Sequence, residues 1–455
     1  MATGKQRYER PTIVKQQSGL MNKIGWRSEA VPVTAVDGVA VPDLIAQFGS
    51  PLFVISESAI RRNQRRAQRV FHTRYPKVQF AWSYKTNYLN AVCAIFHQEG
   101  SWAEVVSEFE YDKARRLGVD GGRIIFNGPH KSTSALKKAV EDGARIHLDN
   151  FDELYKLIEL TEGSGRSARV AVRVNMDTGV CPQWDRFGFN LENGEAWQAL
   201  VRIMNAPQLK LCGLHAHIGT YIMAAEPYRM VASKLSELAR SLRERFDHRI
   251  EYVDVGGGFA SHNTLHGQYL PAEGMVPSLE QYADAISAGL LEHAPDPADL
   301  PTLIVETGRA LIDDAAYLFS SVIAGKRLAD GRRATIIDAG VNLLFTSLWF
   351  KHEISLTQDH SLFSEDTALY GPLCMNIDLI REQVSLPPLK PGDVLAIHDV
   401  GAYNMTQWMQ FITLRPNVVM ITADGRPQLV RKAETLDMML QQEILPEHLH
   451  WQGQP

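Results

Sequence analysis

Between Pro51 and Leu311 short apolar runs alternate with longer stretches of helical periodicity, and this alternation limits the folds open to the chain. Strand signals fall at 78–83, 102–106, 124–126, 146–148, 170–174, 209–217, 252–255 and 303–305. Helical patterns separate most of them, at 90–98, 108–117, 132–142, 152–160, 195–205, 228–246 and 279–292. About eight βα units in roughly 250 residues match the size and order of a (β/α)8 TIM-like barrel. An open doubly wound sheet is the other solution to such alternation. The polar residues singled out below end many different strands, which suits a barrel mouth better.

The flanks differ in texture. Residues up to about Gly25 read as a loose arm, 31–41 as short strands around Asp37-Gly38, and 41–48 as an amphipathic helix ending near Gly49. Leu52-Phe53-Val54-Ile55 is a buried strand, followed by a basic-faced helix over 56–74. After Leu311 helical periodicity is scarce. Strands are predicted at 334–338, 394–397 and 417–421, with turns at Pro391-Gly392-Asp393 and Asp424-Gly425-Arg426. The predicted organisation is an arm over 1–50 partly joined to a β-domain, an α/β barrel over 51–310, and a C-terminal β-rich domain over 311–455.

A chain of 455 residues accommodates two domains. The net charge of -5, without a long basic run, predicts no nucleic-acid partner. No apolar stretch is long enough for a bilayer, and no apolar core follows the basic N-terminus, so neither a membrane partner nor a signal peptide is expected. Cys93, Cys181, Cys212 and Cys374 form no CxxC pair, which predicts free thiols in a reducing cytoplasm and no zinc site.

The segment Phe80-Ala81-Trp82-Ser83-Tyr84-Lys85 ends an apolar strand on a lysine. Burial disfavours the ammonium form, and an amine that is neutral near pH 7 is a nucleophile for aldehydes. Taken alone, such a lysine more often caps a strand and reaches water. His215-Ala216-His217 places two imidazoles on one side of a strand. They could be two metal ligands of a hydrolase, a flat wall beside a structural histidine, or two satisfied core histidines. No second histidine pair is evident to complete a metal site. Asp254-Val255-Gly256-Gly257-Gly258 ends a strand in exposed backbone N–H groups that can cradle a phosphate. Glu306-Thr307-Gly308-Arg309 ends another strand with a carboxylate and an arginine, for which a surface ion pair is the plain alternative. Cys374 alone reads as a small core residue, with Tyr403 downstream. Jointly these parts match the needs of pyridoxal phosphate: an amine, a phosphate cradle, a flat wall and an acid for the ring nitrogen.

In these motifs the sequence resembles the fold-type III pyridoxal-phosphate decarboxylases, the family of diaminopimelate and ornithine/arginine decarboxylases, from about Pro51 to Tyr403. The resemblance implies an alanine racemase-like barrel with a C-terminal β-domain, and a homodimer with shared active sites. It implies that Lys85 carries the cofactor and that His217 stacks on its ring. Thr220, Gly256, Gly257, Gly258, Arg309 and Tyr403 would surround the phosphate. Glu306 would meet the ring nitrogen. Cys374 would enter the partner's site as the acid that protonates Cα. The implied activity is α-decarboxylation of an amino acid. Glu306 argues for decarboxylation over racemisation, because alanine racemase has an arginine there.

The sequence also departs from the family. In diaminopimelate decarboxylases a glutamate follows the cysteine, where this chain has Met375. Those enzymes carry an arginine and a tyrosine after the Asp-x-Gly strand. Here Asp338-Ala339-Gly340 leads to Trp349 with no arginine between. A missing polar reader is costly when the substrate group stays polar. The expectation is therefore a pathway-specific amino acid, with true meso-diaminopimelate decarboxylation as the alternative. Asp378 and Arg186 match further family positions and are substrate-side candidates, Asp378 with a structural role as its alternative and Arg186 with a phosphate-side one. A metal-dependent barrel hydrolase and an inactive regulator are the other readings. The presence of Lys85 and Cys374 opposes the second.

Overall fold

The computed structural model describes residues 31–268, 274–293, 299–360 and 363–449. The arm expected before Gly25 lies outside these residues. A hairpin of β1 (Ala35–Val36) and β2 (Val39–Ala40) turns at Asp37-Gly38 and leads into a helix over Val41–Phe48. The next strand, β3 (Leu52–Ser56), is buried along its whole length.

Eight parallel strands close into a barrel: β4 (Val78–Ser83), β5 (Trp102–Val105), β6 (Ile124–Phe126), β7 (Arg145–Leu148), β8 (Ala168–Asn175), β10 (Leu209–His215), β11 (Tyr252–Asp254) and β12 (Thr302–Val305). The short β9 (Phe189–Asn190) adds to β8 outside the ring. Closure comes from β12 pairing with β4, Leu303 opposite Val78. Helices return between strands, and several start on a side-chain cap. Ser56, Ser107, Ser132, Asn150 and Ser278 each accept a backbone N–H of the first turn. Such caps satisfy donors that a helix start leaves unpaired.

The second sheet holds β13 (Ala316–Arg327), β14 (Arg333–Ile337), β16 (Glu365–Tyr370), β17 (Leu379–Leu386), β19 (Val418–Ile421) and β20 (Pro427–Arg431). The strands β15 (Ile354–Leu356) and β18 (Val394–Ile397) join it through β13. β3 is an interior strand of this sheet, antiparallel to β13 and parallel to β19. The strand at Leu52 therefore belongs to the β-rich sheet, not to the barrel expected from residue 51. An apolar run shows that a strand is buried but not which sheet buries it.

The barrel interior has two layers, and the period-2 alternation of strands creates both. Ala81, Ile125, Ala171, Cys212, Tyr252 and Ile304 pack as an apolar plug. Two residues further along their strands stand Ser83, Asn127, Arg173, Asp254 and Glu306, all buried and polar. Glu104 lies two beyond Trp102, which packs on the same plug.

One ion pair secures the rim of this polar layer. Lys131 has a fully buried side chain and donates to Gly128 O (2.8 Å), His147 O (2.8 Å) and the Glu153 carboxylate (2.9 Å). It joins the loop after β6 to the helix after β7. Lys131→Ala is expected to lower stability by about 3–5 kcal/mol, because the Glu153 carboxylate would stay buried without its partner. Urea unfolding monitored by circular dichroism measures this, and an unchanged midpoint would contradict it.

Candidate active site

Lys85 stands in a single 3-10 turn, Tyr84–Thr86, directly after β4. Its Nζ donates to Glu104 Oε2 at 2.7 Å. Ser83 Oγ donates to the same oxygen at 2.5 Å. The β-domain fixes this turn through three hydrogen bonds. Thr406 Oγ1 donates to Lys85 O (2.8 Å), Tyr403 N to Thr86 O (2.8 Å) and Asn87 Nδ2 to Gly401 O (3.0 Å). Tyr403 takes a left-handed backbone (φ +65°) to do so, a conformation that persists only where its surroundings hold it.

Burial acts to lower the Lys85 pKa, but Glu104, then Tyr403 and Glu306, outweigh it and hold the ammonium above its ordinary value. This corrects the expectation of a neutral amine. Desolvation was the only effect visible in sequence, and the carboxylate comes from a neighbouring strand.

The glycine turn after β11 touches the segments following β10 and β12. A Cβ on Gly257 would stand 2.6 Å from Glu306 O, and one on Gly256 2.6 Å from His217 Nδ1. Gly258 is equally tight against Gly219 O. No side chain fits at any of the three. Asp254 Oδ1 accepts the Gly256 N–H at 2.8 Å and anchors the start of the turn.

Arg309 lies opposite. Its guanidinium stands over the rings of Tyr403 (4.8 Å) and Phe350 (4.9 Å), and Asp313 is 3.7 Å away. Its Nε and Nη1 are buried with no hydrogen-bond partner among the described residues. Lys85, Thr86, His217, Thr220, Gly257, Gly258, Glu306, Gly308, Arg309 and Tyr403 line one recess here. A cation with unused donors facing a side-chain-free turn is a fit for a phosphate group.

His217 lies in the loop just past β10 and accepts the Gly257 N–H on Nδ1 at 3.1 Å. Burial, with Arg173 and Lys85, pushes its pKa down to about 3, so the ring is neutral with its proton on Nε2. Trp184 meets it edge-on at 5.7 Å. His215 faces the barrel interior, 3.6 Å from Glu306 Oε2, with His147 beside it at a ring distance of 4.7 Å. Burial, with Arg173, holds His215 well below its ordinary value, so this is not an ion pair. Burial and Glu306 raise Asp254.

The ligand atoms of His147, His215, Asp254 and Glu306 lie within 4.8 Å of one another and could hold a metal ion. The group takes His147 from β7 and only His215 of the His215/His217 pair, and it contains no second histidine pair. Against an ion, Arg173 and Lys131 already place positive charge beside these histidines.

A cavity of about 780 Å³ opens from Lys85 past Arg173, Trp184, Phe187, His266 and Trp349. It is within the usual size of small-molecule sites. Four of the catalytic and substrate-side candidates lie outside its lining. Arg186 is exposed, over the Phe187 ring at 5.1 Å, and the arginines lining the cavity are Arg173 and Arg309. Asp378 accepts the backbone N–H groups of Val341 (2.8 Å) and Leu373 (2.7 Å) and holds its own loop. Met375 packs on the core, and Cys374 is exposed. Glu104, Asn127, Arg173 and His147 were missed. The two-residue step from each apolar plug position would have found most of them.

No helix among the described residues is long and apolar enough to cross a membrane. Residues 57–313 match the model of the pyridoxal-dependent decarboxylase family, pyridoxal binding domain. The chain is 29% identical over 428 residues to a diaminopimelate decarboxylase of Methanothermobacter thermautotrophicus, covering 91% of this chain and 96% of the relative. It is 30% identical over 425 residues to one from Actinosynnema pretiosum, covering 90% and 92%. The crystal structure of the diaminopimelate decarboxylase of M. jannaschii superposes with a TM-score of 0.84 at 28% identity, over 91% of this chain and 96% of that one. With the barrel, the β-domain and the phosphate-fitting recess beside Lys85, these matches make the chain a member of the pyridoxal-dependent decarboxylases, a carboxy-lyase that uses pyridoxal phosphate on an amino acid.

Proposed function

We propose that this decarboxylase acts on diaminopimelate or a close analogue. The observation that carries this is similarity to enzymes of that name along nine-tenths of the chain, not only over the cofactor-binding half. The cavity beyond Lys85 has room for a long, two-ended amino acid.

The placement supports these roles. Lys85 would hold the cofactor through its aldehyde, and Glu104 would take up and return the proton at Nζ. The glycine turn, Thr220, Tyr403 and Arg309 would hold the phosphate. Glu306 would keep the ring nitrogen protonated, and the neutral His217 would flank the ring. When bound, the cofactor supplies an electron sink for the bond that loses carbon dioxide. Arg173 is the cavity's candidate for a substrate carboxylate. Cys374 acts only in a homodimer, since in one protomer it is exposed and outside the cavity.

A second reading is a pathway-specific amino acid with an apolar far end. The names of the relatives give it no support. Its basis is the wall formed by Trp184, Leu265, Leu348, Trp349 and Phe350. Carbon dioxide release from meso-diaminopimelate, measured beside amino acids with apolar ends, separates the two. Turnover of diaminopimelate at an ordinary rate of about 1 per second or more is expected. Turnover of the apolar set alone would overturn the first reading in favour of the second. Cys374→Ala is expected to slow product formation about 100-fold as a lost proton donor, with the cofactor still bound.

A further inference from the structure

We propose that Asn127 is a positioning residue that ties the carboxylate beside Lys85 to the carboxylate beneath the cofactor ring, so that one amide sets both. The inference rests on the reading of Glu306 given above, whereas Glu104 stands on its observed contact with Lys85.

Asn127 directly follows β6 and is 3% exposed. Its Nδ2 donates to Glu104 Oε1 at 3.0 Å and to Glu306 Oε1 at 2.6 Å. An ionised carboxylate only accepts, so the amide fits one way round. Flipping it would turn a carbonyl oxygen toward two negative groups. Its Oδ1 is then left buried with no partner among the described residues. An unpaired buried acceptor is unfavourable, and the two donations must outweigh it. Alanine would remove both donors. Aspartate, of equal size, would add a third carboxylate.

Other charged groups face the pair from each neighbouring element. On Glu104 these are Lys85 after β4 and Glu110 on the following helix. Arg173 on β8 acts on both carboxylates. On Glu306 they are Lys85 after β4, His147 on β7, His215 on β10, Asp254 on β11 and His217 beyond β10. Tyr403 faces Lys85 from the β-domain. None of these bridges the two carboxylates by hydrogen bonds; Asn127 does.

Losing the amide frees both carboxylates from one fixed arrangement, so the surroundings of Lys85 and of the cofactor ring should change together. In the holoenzyme, Asn127→Ala is expected to shift the bound cofactor's visible absorption at pH 7 away from that of the wild type, and Asn127→Asp is expected to do the same. The kcat of each should fall at least about tenfold at pH 7, with KM changed by less than about threefold. If both variants keep the wild-type absorption and kcat, the proposal is overturned. That includes a loss confined to thermal stability, which is what a merely structural amide would show. Glu306→Gln is the separate check on the underlying reading. If its cofactor absorption is that of the wild type, the assignment of Glu306 fails whatever the Asn127 variants do.

Discussion

Lys85→Ala is expected to lower kcat by about three to four orders of magnitude, at the upper end for a single group that moves a proton in catalysis. The variant should also leave no cofactor fixed to the chain after borohydride reduction, whereas the wild type yields one modified peptide around Lys85. The structure adds a pH dependence with a defined sign. Glu104, with Tyr403 and Glu306, outweighs the effect of burial and holds the Lys85 ammonium above its ordinary value. Only the unprotonated amine attacks an aldehyde. Below the Lys85 pKa its fraction rises about tenfold per pH unit. Reconstitution of apoenzyme should accelerate accordingly as pH rises. Glu104→Gln removes the nearest charge that stabilises the ammonium, lowers that pKa and should speed reconstitution near neutrality. If Glu104→Gln reconstituted more slowly than wild type at every pH, the ammonium-holding role would be wrong.

The second large effect concerns cofactor affinity. Arg309 is buried, has unused donors at Nε and Nη1, and faces the glycine turn across one recess. A charge-assisted hydrogen bond contributes about 1.5–3 kcal/mol, which is about 10- to 100-fold in affinity per bond. Arg309→Met is expected to raise the Kd for pyridoxal phosphate by about 100-fold. Its affinity for pyridoxal, which lacks the phosphate, should barely change. Equilibrium dialysis with the two ligands measures both. Equal weakening of both would show that Arg309 acts on the fold or on the ring.

The two cases divide what sequence shows from what it hides. Lys85, the glycines, Glu306 and Arg309 were legible because each ends a strand, and a barrel gathers strand ends at one mouth. Asn127 and Arg173 were overlooked, although each lies two residues beyond an apolar plug position. Alternation of period two shows that they face inward but not that they face one another. Their meeting depends on closure of the ring, Leu303 against Val78, and on the stagger between strands.

By itself, then, the sequence determined the eight strand positions, the barrel, the glycine turn and the family, because each is written in local periodicity or in contiguous residues. The tertiary structure alone decided four matters. It placed β3 inside the β-rich sheet, between β13 and β19, and it put Glu104 against Lys85 and so reversed the expected charge of that amine. It brought His147 to His215. It also turned Arg186 and Asp378 away from the cavity while turning Arg173 into it. The physical reason is the same in each case: these outcomes depend on contacts between segments far apart in the chain, and burial or charge at one position is set by whichever strand closes against it.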